Sequence, residues 1–167
     1  MQSIIAYWFY LKFQADPATL GAIFFGANLL AGLSSLLAAW LADRFGLIPT
    51  MVFTHIPSNL LLILVPFMPT LNLAILVLFL RFSLSQMDVP TRQSFLMSVV
   101  TENERSSAAG ISSVARTLGA SISPVLAAPL LAFPALMSLP FILAGTLKLL
   151  YDALLYFNFR SSTPPQG

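Results

Sequence analysis

Four polar or charged side chains stand inside an otherwise apolar stretch of this sequence: Arg81, Ser85, Asp88 and Arg92. On one continuous helix their spacing places them within an arc of roughly 60°, on a single face. Charged side chains are costly in lipid and commonly mark a path for ions or substrates. We therefore expect this face to line a cavity or a gate. An architectural ion network is the alternative, because perturbed charges are not always functional.

A second polar face follows on the next apolar stretch, with the same spacing: Ser112, Arg116, Gly119 and Ser123. The two stretches are expected to be antiparallel neighbours, because only a short polar link around Asn103 separates them. Equal distances from that link place Arg116 at the depth of Thr91. This geometry predicts that Asp88 lies between Arg92, one turn further along, and Arg116 on the neighbouring helix.

Three further polar residues are secondary candidates. Lys148 and Asp152 are four residues apart on the last apolar stretch, where a structural or interfacial pair is expected. His55 is the single histidine; a hydrogen-bonded packing role is favoured, and a protonation role is the alternative. With one histidine, no cysteine and no carboxylate cluster, we expect no metal site and no cofactor.

Composition indicates the class of protein. Of 167 residues, 57% are hydrophobic and 8% are charged, whereas a soluble domain carries about 25% charged residues. The apolar residues form long blocks, which predicts an all-α polytopic membrane protein. The formal net charge is only +2 and no basic cluster occurs, so a nucleic-acid partner is not expected.

The turn signals divide the chain into one transmembrane domain, 1–160, and a polar tail, 161–167. Six helices are predicted within the domain, at about 1–14, 18–42, 49–66, 71–100, 107–131 and 136–159, with a kink at Pro90. The first is short of the roughly 20 residues that a span needs. It is read as a truncated helix whose beginning is missing, or else Met1 is a true start and the segment only dips into the bilayer.

Basic residues predict the orientation. One side of the predicted bundle holds Arg44, Arg105 and Arg160, and the other holds Lys12. Since basic residues accumulate on the cytoplasmic side, that side is expected to carry both termini. The expected location is the cell membrane, with the lipid bilayer as a partner.

Segment 39–46, Ala-Trp-Leu-Ala-Asp-Arg-Phe-Gly, resembles a cytoplasmic loop of the major facilitator superfamily, whose pattern is Gly-x-Leu-Ala-Asp-Arg-x-Gly-Arg-Lys. An alanine replaces the first glycine, and Leu47-Ile48 replaces the basic pair, as in the weaker copy of the family's carboxy-terminal half. Segment 88–105 resembles the family's fourth or tenth helix and its following link. Segment 119–124 is a degenerate form of the antiporter Gly-Pro motif on the fifth helix.

This resemblance implies a twelve-helix transporter made of two six-helix halves, each an inverted 3+3 repeat. The chain would be the carboxy-terminal half, with a missing amino-terminal half as its partner. Asp43, Arg44 and Gly46 would form a gating loop. The implied function is secondary active transport of a small solute by alternating access, with proton coupling through Asp88 or Asp152. Efflux of small amphipathic compounds is the commonest activity of close relatives, and uptake of a sugar, an organic acid or another solute is the open alternative.

Two other functions are alternatives to transport. The first is a truncated or non-transporting membrane scaffold that needs a partner half. The second is an intramembrane hydrolase in which Ser34 or Ser112 pairs with His55. The hydrolase is disfavoured because no Gly-x-Ser-x-Gly elbow occurs and no residue in the sequence is seen to orient the histidine. We therefore expect no enzyme activity.

Overall fold

The computed structural model describes residues 2–159, apart from the side chains of Asp88, Ser98 and Phe159. This part of the chain is helical and contains no strand. Its α-helices are α1 (Gln2–Phe13), α2 (Pro17–Phe45), α3 (Leu47–Leu64), α4 (Leu71–Ser85), α5 (Asp88–Val99), α6 (Arg105–Leu131) and α7 (Leu139–Phe159). Short 3-10 turns occur at Val65–Phe67, Glu102–Glu104 and Pro134–Leu136. Met1, Arg160 and the predicted tail 161–167 lie outside the described residues.

Five helical segments between residues 2 and 159 are long and apolar enough to cross a membrane. They are Pro17–Phe45, Leu47–Phe67, Leu71–Met97, Glu102–Leu131 and Pro134–Asn158. The remaining helix, α1, has 12 residues and is shorter than a span. The all-helical membrane class is therefore confirmed, whereas six spans and an inverted repeat stay predictions.

The predicted helix 71–100 contains a break in its regular hydrogen bonding, although Gln86 and Met87 keep right-handed helical backbone angles. α4 ends at Ser85 and α5 begins at Asp88. Pro90 lacks an N–H, and its ring would clash with the carbonyl four residues earlier, that of Gln86. The chain tightens instead, with the Met87 N–H donating to Leu84 O at 3.3 Å and the Val89 N–H to Gln86 O at 3.4 Å. α4 and α5 nevertheless belong to one helical segment, Leu71–Met97, and the kink at Pro90 stays a prediction.

α2 and α3 are joined by one residue, Gly46. Its φ of 92° and ψ of 159° belong to a backbone region that essentially only glycine occupies. Its N–H donates to Ala42 O at 2.8 Å and its carbonyl accepts from the Thr50 N–H at 3.2 Å. The end of α2 and the start of α3 are therefore closer along the chain than the predicted bounds at 42 and 49. Asp43 and Arg44 lie on the last turn of α2.

The short helix α1 is held in the middle of the bundle. Ile5, Trp8 and Phe9 are fully buried, and the Trp8 ring lies 5.4 Å from that of Phe141 on α7. At the end of α1 the Lys12 Nζ donates to Pro66 O at 2.7 Å and Met68 O at 2.9 Å. These bonds satisfy carbonyls just beyond the end of α3.

α6 is different, because most of its side chains are exposed. Its buried residues, Ala127 and Leu131, lie near its carboxy-terminal end. The polar face predicted around Arg116 belongs to the exposed part.

Candidate functional site

Basic side chains from four helices meet at one cavity of about 560 Å³. They are Arg81 on α4, Arg92 on α5, Arg116 on α6 and Lys148 on α7, joined by His55 on α3. Ser85 also lines the cavity. The structure thus brings together six of the residues that sequence spacing selected, and a cavity of this size suits a small solute.

Arg81 is the most deeply buried of these cations, with 5% of its surface exposed. Its guanidinium carbon lies 5.2 Å from the centre of the Phe82 ring. Its Nε is buried and, within the described part of the chain, has no hydrogen-bond partner. The backbone carbonyl of Arg81 accepts from the Ser58 hydroxyl at 3.4 Å. A buried charge without a partner is costly, which marks Arg81 for attention.

The other three cations lie nearer the surface. Arg92 is half-buried and its guanidinium carbon is 5.1 Å from the centre of the Tyr151 ring, while Lys148 is half-buried and Arg116 is exposed. The predicted place of Asp88 between Arg92 and Arg116 falls on a side chain outside the described set, so it stays a prediction. The exposure of Arg116 in this chain does not fit a fully buried network.

A second cluster borders the cavity and joins α3 to α7. The two carboxylate oxygens of Asp152 lie 2.9 and 2.8 Å from His55 Nδ1. The Asn59 Nδ2 donates to Asp152 Oδ2 at 2.9 Å. His55 is 6% exposed, Asp152 is 2% exposed and Asn59 is fully buried. This arrangement joins α3 to α7 through buried polar side chains.

Close packing of α3 on α7 makes this contact possible. Gly145 is buried where α7 crosses α3, and a Cβ at this position would overlap the side chain of Ile63 and lie 3.2 Å from Asn59 O. The two helices therefore approach to backbone contact, as small residues permit in membrane proteins. Asp152 lies two turns beyond Gly145 on α7, and the close packing of the two helices brings its carboxylate next to His55.

Sequence reasoning missed Asn59, although its position four residues after His55 in an apolar helix was a usable signal. The partner of Asp152 was also missed, because His55 lies 97 residues away. Lys148 lines the cavity, and its predicted ion pair with Asp152 stays a prediction. For the hydrolase alternative, the Ser34 hydroxyl donates to Ala31 O on its own helix at 3.0 Å.

At the α2–α3 turn, Asp43 and Arg44 are both exposed. The Arg44 guanidinium carbon lies 5.5 Å from the Trp40 ring centre and 5.8 Å from that of Phe45. These contacts and the Gly46 turn fix the shape of this corner. A gating role for Asp43, Arg44 and Gly46 stays a prediction.

The break between α4 and α5 lies between two cavities. A second cavity of about 550 Å³ separates α2 from α5 and shares Gln86 and Val89 with the first. Its α2 wall is made of short side chains: Asn28, Ala31, Gly32 and Ser35. Interrupted helices at such positions are common in the binding regions of transporters. No group of three metal-binding side chains occurs among the residues the structure describes.

Comparison with known proteins gives one family and one relative. The family model described as Major Facilitator Superfamily matches residues 1–167. An uncharacterized membrane protein of Saccharomyces cerevisiae is 27% identical over 156 residues, which are 93% of this chain and 35% of the yeast protein. The chain thus spans about a third of the length of that relative. No solved structure matches the chain significantly.

Proposed function

The chain belongs to the major facilitator superfamily, and from this membership we propose that it forms the carboxy-terminal half of a secondary active transporter. The single observation that carries the proposal is the cavity of charged side chains inside a membrane bundle. Such residues are retained in spans where they serve a solute or ion path. The cavity and the buried polar cluster hold five of the charged residues within the spans: Arg81, Arg92, Arg116, Lys148 and Asp152.

The proposed protein has a second, amino-terminal half. Two features support this: the chain spans 35% of its yeast relative, and the polar face of α6 is exposed. In the complete transporter that half covers α6 and closes the solute path. α1 then represents a shortened first helix, which gives six helices arranged as two inverted repeats of three.

Alternating access needs elements that change shape. We assign this to the α4–α5 break, which borders both cavities, and to the Gly46 corner with Asp43 and Arg44. The break lacks regular helical hydrogen bonds around Gln86, so bending there costs little. The charged corner provides contacts that secure one closed state.

Proton coupling is assigned to Asp152 and His55. A buried carboxylate held against an imidazole can take up and release a proton during the cycle. The charged and titratable groups around this pair are Arg81 on α4, Arg92 on α5, Arg116 on α6, and Lys148 and Tyr151 on α7. Asp88, the other coupling candidate from the sequence, is retained as an alternative carrier.

The cell membrane is the proposed location, with both termini in the cytoplasm. The excess of arginine at the α2–α3 corner and the 102–105 link supports that orientation. Export of small amphipathic compounds is the proposed direction, on the resemblance to efflux members.

The test is solute flux in proteoliposomes under an imposed proton gradient, with the chain alone compared with the product of its gene's full reading frame. A radiolabelled panel of organic acids, sugars and lipophilic cations serves as substrate. Gradient-dependent flux from the longer product supports the proposal. No flux of any compound from well-folded protein would favour the second candidate, a non-transporting scaffold, which the exposed face of α6 also suits.

A further inference from the structure

We infer that the solute is a small organic anion and that Arg81 is the residue that binds its charged group. This inference rests on the proposed transport function and adds the substrate class to it. It starts from the guanidinium of Arg81, which is almost completely buried, lines the cavity and has an Nε without a hydrogen-bond partner among the described residues.

A buried guanidinium whose Nε lacks an acceptor is suited to an oxyanion. Its planar fork of N–H donors matches a carboxylate or phosphate group in a bidentate manner. The Phe82 ring lies 5.2 Å from the guanidinium carbon and holds the group in place without competing for its donors. The side chain is therefore already positioned for an anion before one arrives.

The charge of the surroundings points the same way. Four cations line the cavity: Arg81, Arg92, Arg116 and Lys148. The acids on the same helices are Asp88 and Asp152, so four positive charges against two negative ones leave an excess of two positive charges. Asp152 is in addition bonded to His55 and Asn59. A positive cavity with low-dielectric walls concentrates anions and repels cations.

Burial of the cations is graded along the cavity. Arg116 is exposed, Arg92 and Lys148 are half-buried, and Arg81 is buried. Outer cations can attract an anion from water, and the innermost one can hold it after the water is removed. The volume of about 560 Å³ accepts a small anion with an organic body.

The competing explanation is that Arg81 pairs with an acid from another segment of the full-length protein. The two explanations differ in the stability of the ligand-free protein. If the guanidinium binds a solute and has no acidic protein partner in the ligand-free state, Arg81→Gln removes an uncompensated buried charge. The Tm of the variant is then equal to or higher than that of the wild type. If the guanidinium has a protein partner, the same substitution lowers the Tm.

The experiment is thermal unfolding of the purified full-reading-frame product in detergent, at fixed sodium concentration. The carboxylate probes are succinate and benzoate, and the phosphate probes are inorganic phosphate and glucose 6-phosphate. Glucose is the neutral control and tetraethylammonium is the cationic control. We expect at least one oxyanion to raise the Tm saturably, with the carboxylate and phosphate arms identifying its charged group.

Arg81→Gln is expected to weaken that binding by about tenfold to about a hundredfold, the loss of a charge-assisted hydrogen bond. Arg105→Gln is the matched control, because Arg105 is 49% exposed, lies outside the cavity and pairs with Glu102 at 3.7 Å. Arg116→Gln, on a cavity residue that is exposed in this chain, provides a second cavity variant. It should weaken binding by a smaller factor.

The inference is overturned if no oxyanion raises the Tm, if tetraethylammonium is the better ligand, or if Arg81→Gln and Arg116→Gln both bind as the wild type does. A lower Tm for ligand-free Arg81→Gln also overturns it. An anion response without any flux would retain the site and refute transport. Flux of a neutral or cationic solute without an anion response would retain transport and refute the anion site.

Discussion

Asp152→Leu removes the carboxylate that joins α3 to α7, and it is expected to destabilise the protein measurably. The substitution removes the carboxylate that is bonded to two buried nitrogens: His55 Nδ1, 2.8 and 2.9 Å from its two oxygens, and Asn59 Nδ2, 2.9 Å from one of them. Leucine is chosen because it is close to aspartate in shape and carries no polar atom.

The expected magnitude follows from the number and type of these contacts. Hydrogen bonds between membrane helices contribute on average about 0.6 kcal/mol and at most about 1.7 kcal/mol, so two bonded donors give about 1 to about 3 kcal/mol. A charged pair behaves differently, because removal of one ion leaves the other buried and costs about 3 to 5 kcal/mol.

The assay is equilibrium unfolding in detergent for Asp152→Leu, His55→Leu and the double variant. Since two apolar groups of similar shape can replace a buried polar pair almost without cost, the double variant should be more stable than the two single losses predict. Asp43→Asn is the control, because Asp43 is exposed. Strictly additive losses, or an Asp152→Leu protein as stable as the wild type, would refute the pairing.

Three further predictions concern the backbone and a cap. Gly145→Ala should lower stability and the yield of folded protein, because its Cβ would overlap Ile63, whereas Gly110→Ala, with open space around it, should be neutral or mildly stabilising. Gly46→Ala should cost about 1 to 3 kcal/mol in an unfolding assay, since φ is 92° there; an unchanged midpoint would contradict this. Hydrogen bonds to the Asp16 carboxylate hold its pKa below the ordinary 3.8. The wild type should thus be more stable than Asp16→Ala at neutral pH, and this difference in the free energy of unfolding should vanish as the pH falls below about 4. A difference that grew in acid would contradict the cap.

The helical membrane fold could be read from the sequence because it depends on local properties. Long apolar blocks specify helices, and the Asp16-Pro17 pair marks the start of α2. In the structure the Asp16 Oδ1 accepts from the backbone N–H groups of Ala18 and Thr19, at 2.8 and 3.0 Å. This cap marks the start of α2.

The break near Pro90 depends on contacts that the local sequence does not specify. Proline excludes a regular hydrogen bond and crowds the Gln86 carbonyl, and both facts are visible in the sequence. Whether the helix bends or separates into two depends on which neighbours accept the freed backbone groups. That is a property of the packed bundle, so the sequence does not specify the break in hydrogen bonding between α4 and α5.

The candidate site, too, could be predicted from the sequence only in part. The stripe of Arg81, Ser85 and Arg92 was detectable, because charges at helical spacing in an apolar stretch are rare. The pairing of His55 with Asp152 was not, because it depends on how α3 crosses α7 at Gly145. Two residues 97 positions apart carry no mutual signal in one sequence.

The central claim is that the full-length protein couples solute movement to protons through Asp152. The most direct measurement compares, in the same proteoliposomes, solute counterflow without a gradient and accumulation driven by a proton gradient, for wild type and Asp152→Asn. The account predicts that the variant retains counterflow, which needs only alternating access, and loses proton-driven accumulation. Accumulation by the variant at the wild-type level would contradict the assignment of coupling to Asp152. Absence of both activities from folded wild-type protein would contradict transport itself.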